Sequence, residues 1–144
     1  MTAENWRGIF NILQTPFDEA GSLVWDDFER ESDFLVLAGS HGYVWPVMAS
    51  EFTVLATHER IEGMKRAVDV VAGRIPVVIG VADTSQAGAV RLAEEAGRCG
   101  ADAIIALPPW HTKLGSLDMV RAYYFALADA AGLPVFIQNI GAPM

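Results

Sequence analysis

The residues best suited to chemistry lie in three loops, each of which follows an apolar segment. The loop 46–52 carries Ser50 and Glu51, a hydroxyl and a carboxylate that can contact a small polar ligand. His111 follows a later apolar segment as a candidate general acid–base, or as a loop residue packed against a neighbouring subunit. Gln138 follows the last apolar segment and can hold a hydrogen bond, but it cannot shuttle a proton at neutral pH. We therefore expect any catalytic chemistry at these loops.

Composition and charge exclude several other kinds of site. The chain of 144 residues has one cysteine, Cys99, and three histidines on separate loops, so no metal or other cofactor is expected. The net charge of −8 disfavours a surface that follows nucleic-acid phosphates. We find neither a secretory signal pattern nor an apolar run long enough for a membrane span, which predicts a cytoplasmic protein without a membrane partner. A hydrophobic fraction of 52% predicts one domain over 1–144.

Five short apolar segments, separated by helical periodicity, organise the whole sequence. The strand candidates are 9–14, 43–45, 76–81, 103–107 and 135–138. Thr57, Ser85 and Ser116 are the candidate N-caps of the last three of the four predicted helices. The last helix has Leu117, Tyr124 and Leu127 on its predicted core face, which leaves Tyr123 for an interface. Strand–helix units of about 30 residues predict parallel βαβ crossovers in an α/β fold.

Two architectures can accommodate five such strands. The first is a complete, open, doubly wound sheet of the flavodoxin or receiver type, which the length of the chain favours. The second is about the first half of a (β/α)₈ TIM barrel. The loops argue against the first: the turn 15–19 is acidic and blocked by Pro16, unlike a phosphate-binding turn, and no lysine follows the fifth strand.

Six short motifs occur along the chain in a recognisable order. They are 15–17 (TPF), 50–51 (SE), 73–77 (GRIPV), 80–81 (GV), 100–103 (GADA) and 108–109 (PP). From about Gly8 to Asn139 the sequence resembles the dihydrodipicolinate synthase / N-acetylneuraminate lyase family. The resemblance implies a TIM barrel of class I aldolases and lyases that form a Schiff base between a lysine and pyruvate or a related 2-keto acid. It also implies a homo-oligomer, either a dimer or a tetramer.

The resemblance also implies which residues line the site. The family loop Gly-Thr-Thr-Gly-Glu corresponds here to 47–51, with Met48 and Ala49 at the threonine positions and no side-chain donor at either. The candidates for substrate binding are Thr15, Ala49, Ser50, Glu51 and Asn139, and the catalytic candidates are Gln138, at the family tyrosine position, and His111.

The lysine that this resemblance requires is expected on strand 6, which these 144 residues do not include. We therefore expect a lyase or aldolase of altered substrate choice, and no Schiff base on this chain alone. The alternative is a non-catalytic, receiver-like or flavodoxin-like binding domain with a complete open sheet.

Overall fold

A computed structural model describes residues 5–109 and 116–138 and shows strands and helices in alternation. The strands are β1 (Phe10–Ile12), β2 (Gly42–Trp45), β3 (Val77–Gly80), β4 (Ala103–Ala106) and β5 (Val135–Ile137). The α-helices are α1 (Trp25–Leu37), α2 (Thr57–Val71), α3 (Gln86–Cys99) and α4 (Leu117–Ala131), and a short 3-10 helix spans Met48–Ser50. The predicted succession of five strands and four helices is confirmed within the described residues.

The strand order decides between the two architectures. Neighbouring strands are all parallel and follow the order β1-β2-β3-β4-β5, with Val44 opposite Val78 and Ile105 opposite Phe136. Consecutive helices pack side by side, α1 on α2, α2 on α3 and α3 on α4, so they form one layer. A flavodoxin-type sheet would exchange the first two strands and carry helices on both faces. The open-sheet alternative is therefore wrong, and the order is that of a (β/α)₈ barrel.

The main hydrophobic core lies between the sheet and this layer of helices. Trp45 on β2 is fully buried and packs edge-on against Phe28 of α1, with the two ring centroids 5.0 Å apart. Met64 of α2 and Leu92 of α3 belong to the same core. The indole also explains Gly63 on α2, because a Cβ there would lie 2.3 Å from the Trp45 ring. Core packing thus sets how closely α2 approaches the sheet.

The opposite, concave face of the sheet is apolar but only partly covered. Val44 and Val78 are buried there, and the N-terminal Trp6 stacks on Phe136 with ring centroids 6.0 Å apart. Phe10 on β1 contacts both of these rings, at 5.7 and 6.5 Å. Trp6 therefore links the two edge strands across the concave face. A cavity of about 210 Å³ remains on this face.

The helix ends follow local capping chemistry, with one correction. The hydroxyls of Ser85 and Ser116 accept hydrogen bonds from main-chain N–H groups at the starts of α3 and α4, as predicted. Thr57 was predicted to be the N-cap of α2, but it is the first residue of the helix and Ala56 precedes it. The Glu59 carboxylate accepts a hydrogen bond from the Ala56 N–H at 2.8 Å, so Glu59 supplies the capping interaction.

The predicted core face of α4 is displaced by part of a turn. Leu127 is fully buried, as predicted, but Tyr123 is only 2% exposed and Leu117 is 83% exposed. Tyr124 is half-buried, and its hydroxyl donates a hydrogen bond to the Ala106 carbonyl at 3.1 Å. The expectation that Tyr123 lies at an interface is therefore wrong. Adjacent helical residues point about 100° apart, so a small rotation of the helix exchanges their burial.

Candidate functional site

The loop after β2 is shaped by the 3-10 helix Met48–Ser50 and by a left-handed residue at its end. The Trp45–Pro46 bond that leads into the loop is cis, and the main-chain N–H groups of Ser50 and Glu51 donate to the Val47 and Met48 carbonyls. Glu51 has φ of 58°, a conformation that disfavours residues other than glycine by about 1 kcal/mol. The Glu51 and Ala49 side chains are exposed. Thus two of the predicted substrate-binding residues lie at the surface of the loop.

The hydroxyls of Thr15 and Ser50 instead join the loop to the end of β1. The fully buried Ser50 donates from Oγ to the Leu13 carbonyl at 2.6 Å. Thr15 Oγ1 donates to the Ser50 carbonyl at 2.6 Å and accepts from Trp45 Nε1 at 3.0 Å. Each hydroxyl has one proton to donate, and in both residues that proton is engaged with a main-chain oxygen. In this arrangement Thr15 and Ser50 hold the loop in place, and neither can donate to a bound carboxylate.

Gln138 directly follows β5, at the carboxyl ends of the strands. The opening of the concave face at this edge is called the mouth. The main-chain N–H of Gln138 donates to the Ala106 carbonyl at 2.9 Å, and its half-buried side chain lines the cavity. Val47 from the loop after β2 lines the same cavity, so the structure brings two of the predicted loops to one mouth. Gln138 is the single polar residue among the described lining residues. His111 and Asn139, the other two predicted site residues, lie outside the described residues.

A buried arginine beside this mouth was not predicted as a functional residue. Arg60, in the first turn of α2, is 4% exposed. Its Nη1 donates to the Ala82 carbonyl at 2.9 Å and its Nη2 to the Gly80 carbonyl at 3.0 Å. Burial lowers the pKa of Arg60 to about 10, and the negative charge of Asp83 opposes that decrease. Arg60 precedes the buried Met64 and Ala67 by four and seven residues, so its position on the core stripe was the available signal.

Tyr123 is electrostatically coupled to the same group of residues. Burial raises the pKa of its phenol to about 12, with Asp83 adding to the increase and Arg60 opposing it. Neither the Tyr123 hydroxyl nor Arg60 Nε has a hydrogen-bond partner in the part of the chain that the structure describes. Asp83 is half-buried, and its Oδ1 accepts from the Ser85 N–H and hydroxyl. The loop after β3 thus places a carboxylate near a buried cation and a buried phenol.

No three His, Cys, Asp or Glu side chains within 5–109 and 116–138 come together as a candidate metal site. None of the helices described is long and apolar enough to cross a membrane.

Comparison with known proteins identifies the family. A profile of the Dihydrodipicolinate synthetase family matches residues 5–143. The chain belongs to the dihydrodipicolinate synthetase family. This membership confirms the resemblance found in the sequence, and the barrel topology is the family's fold.

The individual relatives show how much of the family's chain is present. The 4-hydroxy-tetrahydrodipicolinate synthase of Gluconacetobacter diazotrophicus is 35% identical over 140 residues, which are 97% of this chain and 47% of the relative. A probable 2-dehydro-3-deoxy-D-pentonate aldolase of Escherichia coli, YjhH, is 32% identical over 94% of this chain and 45% of its own. The crystal structure of YagE, a family member from E. coli K12 in complex with pyruvate, superposes with a TM-score of 0.88 at 30% identity, covering 94% of this chain and 45% of YagE. The chain thus spans about half the length of these relatives and carries the first five strands and four helices of the barrel.

Proposed function

We propose that this chain supplies one half of the active site of a lyase of the class I aldolase type that acts on a 2-keto acid. In such a reaction a lysine amine attacks the keto carbon, water is lost, and the resulting iminium accepts the electron pair of a neighbouring C–C or C–H bond that breaks. The enamine formed in this way donates that pair when a new bond forms. The observation that carries the proposal is the parallel barrel order, which brings the loop after β2 and Gln138 to one mouth. Barrel enzymes bind substrates at this carboxyl end of their strands.

The lysine in this proposal comes from outside the 144 residues. Lys65 is exposed on α2, on the side of the helix that faces away from the core. Lys113, the other lysine of the sequence, lies outside the described residues. The substrate would therefore be held between this chain's mouth and a lysine-bearing second half of the barrel.

The roles of the site residues follow from their chemistry and their contacts. In this proposal Ala49, Glu51 and Asn139 line the substrate, and Ser50, predicted for the same role, instead fixes the loop together with Thr15 through their hydroxyls. Gln138 donates a hydrogen bond from its amide, and His111 transfers the proton that an amide cannot transfer at neutral pH.

The names of the relatives support a class of substrate. The relatives' names include a dipicolinate-pathway synthase and a pentonate aldolase, and YagE was solved with pyruvate. Pyruvate is a 2-keto acid, and the absence of threonine at positions 48 and 49 favours a substrate pair different from that of dihydrodipicolinate synthesis. We further propose a cytoplasmic homo-oligomer, a dimer or tetramer, that binds neither nucleic acid nor membrane, in keeping with the charge of −8.

Reduction with borohydride in the presence of pyruvate tests the proposal, because it converts an iminium into a stable amine adduct that peptide mass spectrometry locates. The chain alone is expected to give no adduct. A chimera that continues this chain with the remaining half of the Gluconacetobacter synthase is expected to give an adduct on a lysine of the added half. An adduct on Lys65 or Lys113, or a folded chimera that traps no pyruvate, would contradict the proposal. Omission of pyruvate is the control.

A further inference from the structure

Arg60 joins two loops at the mouth. Its two Nη atoms bind the carbonyls of Gly80 and Ala82, which end β3 and begin the loop after it. Its Cζ lies 5.3 Å from the centroid of the Phe52 ring, and Phe52 directly follows Glu51 in the loop after β2. Phe52 is 5% exposed and packs with the buried Ala82 and Leu107. One side chain of α2 thus contacts both loops.

The strand end that Arg60 holds is also the surface on which the loop after β2 rests. A Cβ on Gly80 would lie 1.7 Å from the Pro46 carbonyl oxygen, so the two main chains are in direct contact. Pro46 immediately precedes Val47, which lines the cavity. A shift of Gly80 would therefore displace the start of the loop. A guanidinium suits this position because its planar fork reaches two carbonyls at once, which an ammonium cannot do with the same geometry.

The charge of Arg60 is tolerated although the group is buried. Two carbonyl dipoles accept from the guanidinium, the face of Phe52 lies against it, and Asp83 contributes a negative charge nearby. A buried cation without such partners would be strongly destabilising. An apolar side chain of similar size would fill the same space but could not donate to these two carbonyls.

We propose that Arg60 is a positioning residue: it fixes the segment 47–52 against the loop after β3, and so sets the geometry of the substrate mouth. The role at the mouth rests on the proposed function, whereas the fixing of the segment does not. The Ser50, Glu51 and Phe52 amides report directly on that segment, because they donate to the Val47 and Met48 carbonyls within the loop.

Amide hydrogen exchange on the 144-residue chain tests the structural part. Arg60→Lys keeps the charge but loses the fork. Arg66→Met is the control on the same helix, where a part-buried guanidinium pairs with Glu29 and Glu62 and stacks on Trp25. Arg60→Lys is expected to accelerate exchange at Ser50, Glu51 and Phe52 about tenfold, as for the loss of roughly one buried hydrogen bond. The Ile104 amide in the sheet is expected to keep its rate, and Arg66→Met to leave all four unchanged.

A second variant measures the contribution of the Phe52 ring. Phe52→Leu removes the ring under the guanidinium and leaves the fork, so the same loop amides are expected to accelerate by a smaller factor, about threefold. Equal acceleration of loop and sheet amides in Arg60→Lys would mean a general loss of stability and would overturn the proposal. Unchanged loop amides in Arg60→Lys would also overturn it.

The functional part uses the pyruvate-trapping chimera. Arg60→Lys is expected to raise the pyruvate concentration for half-maximal trapping about tenfold with little change in the maximal rate, because the loop contacts substrate rather than reacting with it. Arg66→Met is expected to change neither. An unchanged half-maximal concentration in Arg60→Lys would overturn the role at the mouth. If the unsubstituted chimera traps nothing, the proposed function fails, and the exchange experiment still decides the role of Arg60 in the loop.

Discussion

The two faces of the sheet differ in how completely they are covered. The helix-covered face is closed, with Trp45, Met64 and Leu92 packed among the helices and glycine at position 63 to admit the indole. The concave face is partly open, with apolar strand residues, one glutamine and a cavity of about 210 Å³. Successive residues of one strand contribute to the two faces, since Trp45 points to the helices and Val44 to the cavity. The closed face therefore carries the stability of the fold, while the open face is available to pack against the rest of a barrel, with the proposed ligand site at its mouth.

Substitutions in β2 test this division with the largest expected effect. Trp45→Ala is expected to lower the free energy of unfolding by about 3–5 kcal/mol, because it leaves a large cavity in the closed face and removes the hydrogen bond to Thr15. Val44→Ala is expected to cost about 1 kcal/mol, since its side chain borders space that is already empty. Urea unfolding followed by circular dichroism measures both, and equal losses would contradict the division.

The second effect depends on pH and on the buried phenol of Tyr123. Its pKa in the folded chain is about 12 against an ordinary value near 10, so between these values the unfolded chain loses a proton that the folded chain retains. This ionisation therefore contributes nothing to stability below pH 10, and it lowers the free energy of unfolding as pH rises from 10 to 12, by up to about 1.4 kcal/mol per pH unit.

Comparison with Tyr123→Phe isolates that contribution. Urea midpoints measured through this pH range should fall more steeply for the unsubstituted chain than for the variant. Parallel slopes would show that Tyr123 titrates normally in the folded chain.

The smallest effect distinguishes the two neighbouring tyrosines of α4. Tyr124→Phe is expected to lower the free energy of unfolding by about 1 kcal/mol, because its hydroxyl donates to the Ala106 carbonyl at the end of β4. Tyr123→Phe at neutral pH is expected to leave it unchanged or raise it by up to about 1 kcal/mol, because it removes a hydroxyl without a partner among the described residues. Thermal unfolding of the two variants measures the difference. A larger decrease in the free energy of unfolding for Tyr123→Phe than for Tyr124→Phe would contradict this account of the two hydroxyls.

Local chemistry made much of the fold predictable. Strands, serine caps and helix ends depend on nearby residues, and Ser85 and Ser116 cap their helices as predicted. The long-range partners of the site were not accessible in the same way. Thr15 and Ser50 bond to main-chain oxygens 35 and 37 positions away, and no local pattern indicates such acceptors.

Arg60 shows a different limit of sequence interpretation. A charged side chain in the first turn of a helix is normally assigned to the surface. Here its place on the apolar stripe of α2 outweighed its charge, because the carbonyls of Gly80 and Ala82 satisfy the guanidinium inside the protein. On α4, the choice between Tyr123 and Tyr124 depended on a rotation of the helix that periodicity alone does not fix.

The most direct test of the central claim is the position of the borohydride-reduced pyruvate adduct. The claim is that the mouth of the open face supplies half of a 2-keto acid site and that the reactive lysine lies in the other half. The predicted result is an unmodified Lys65 and Lys113 in the chain alone, and an adduct on a lysine of the added half in the folded chimera. An adduct on either lysine of this chain, or none in the folded chimera, would contradict the account.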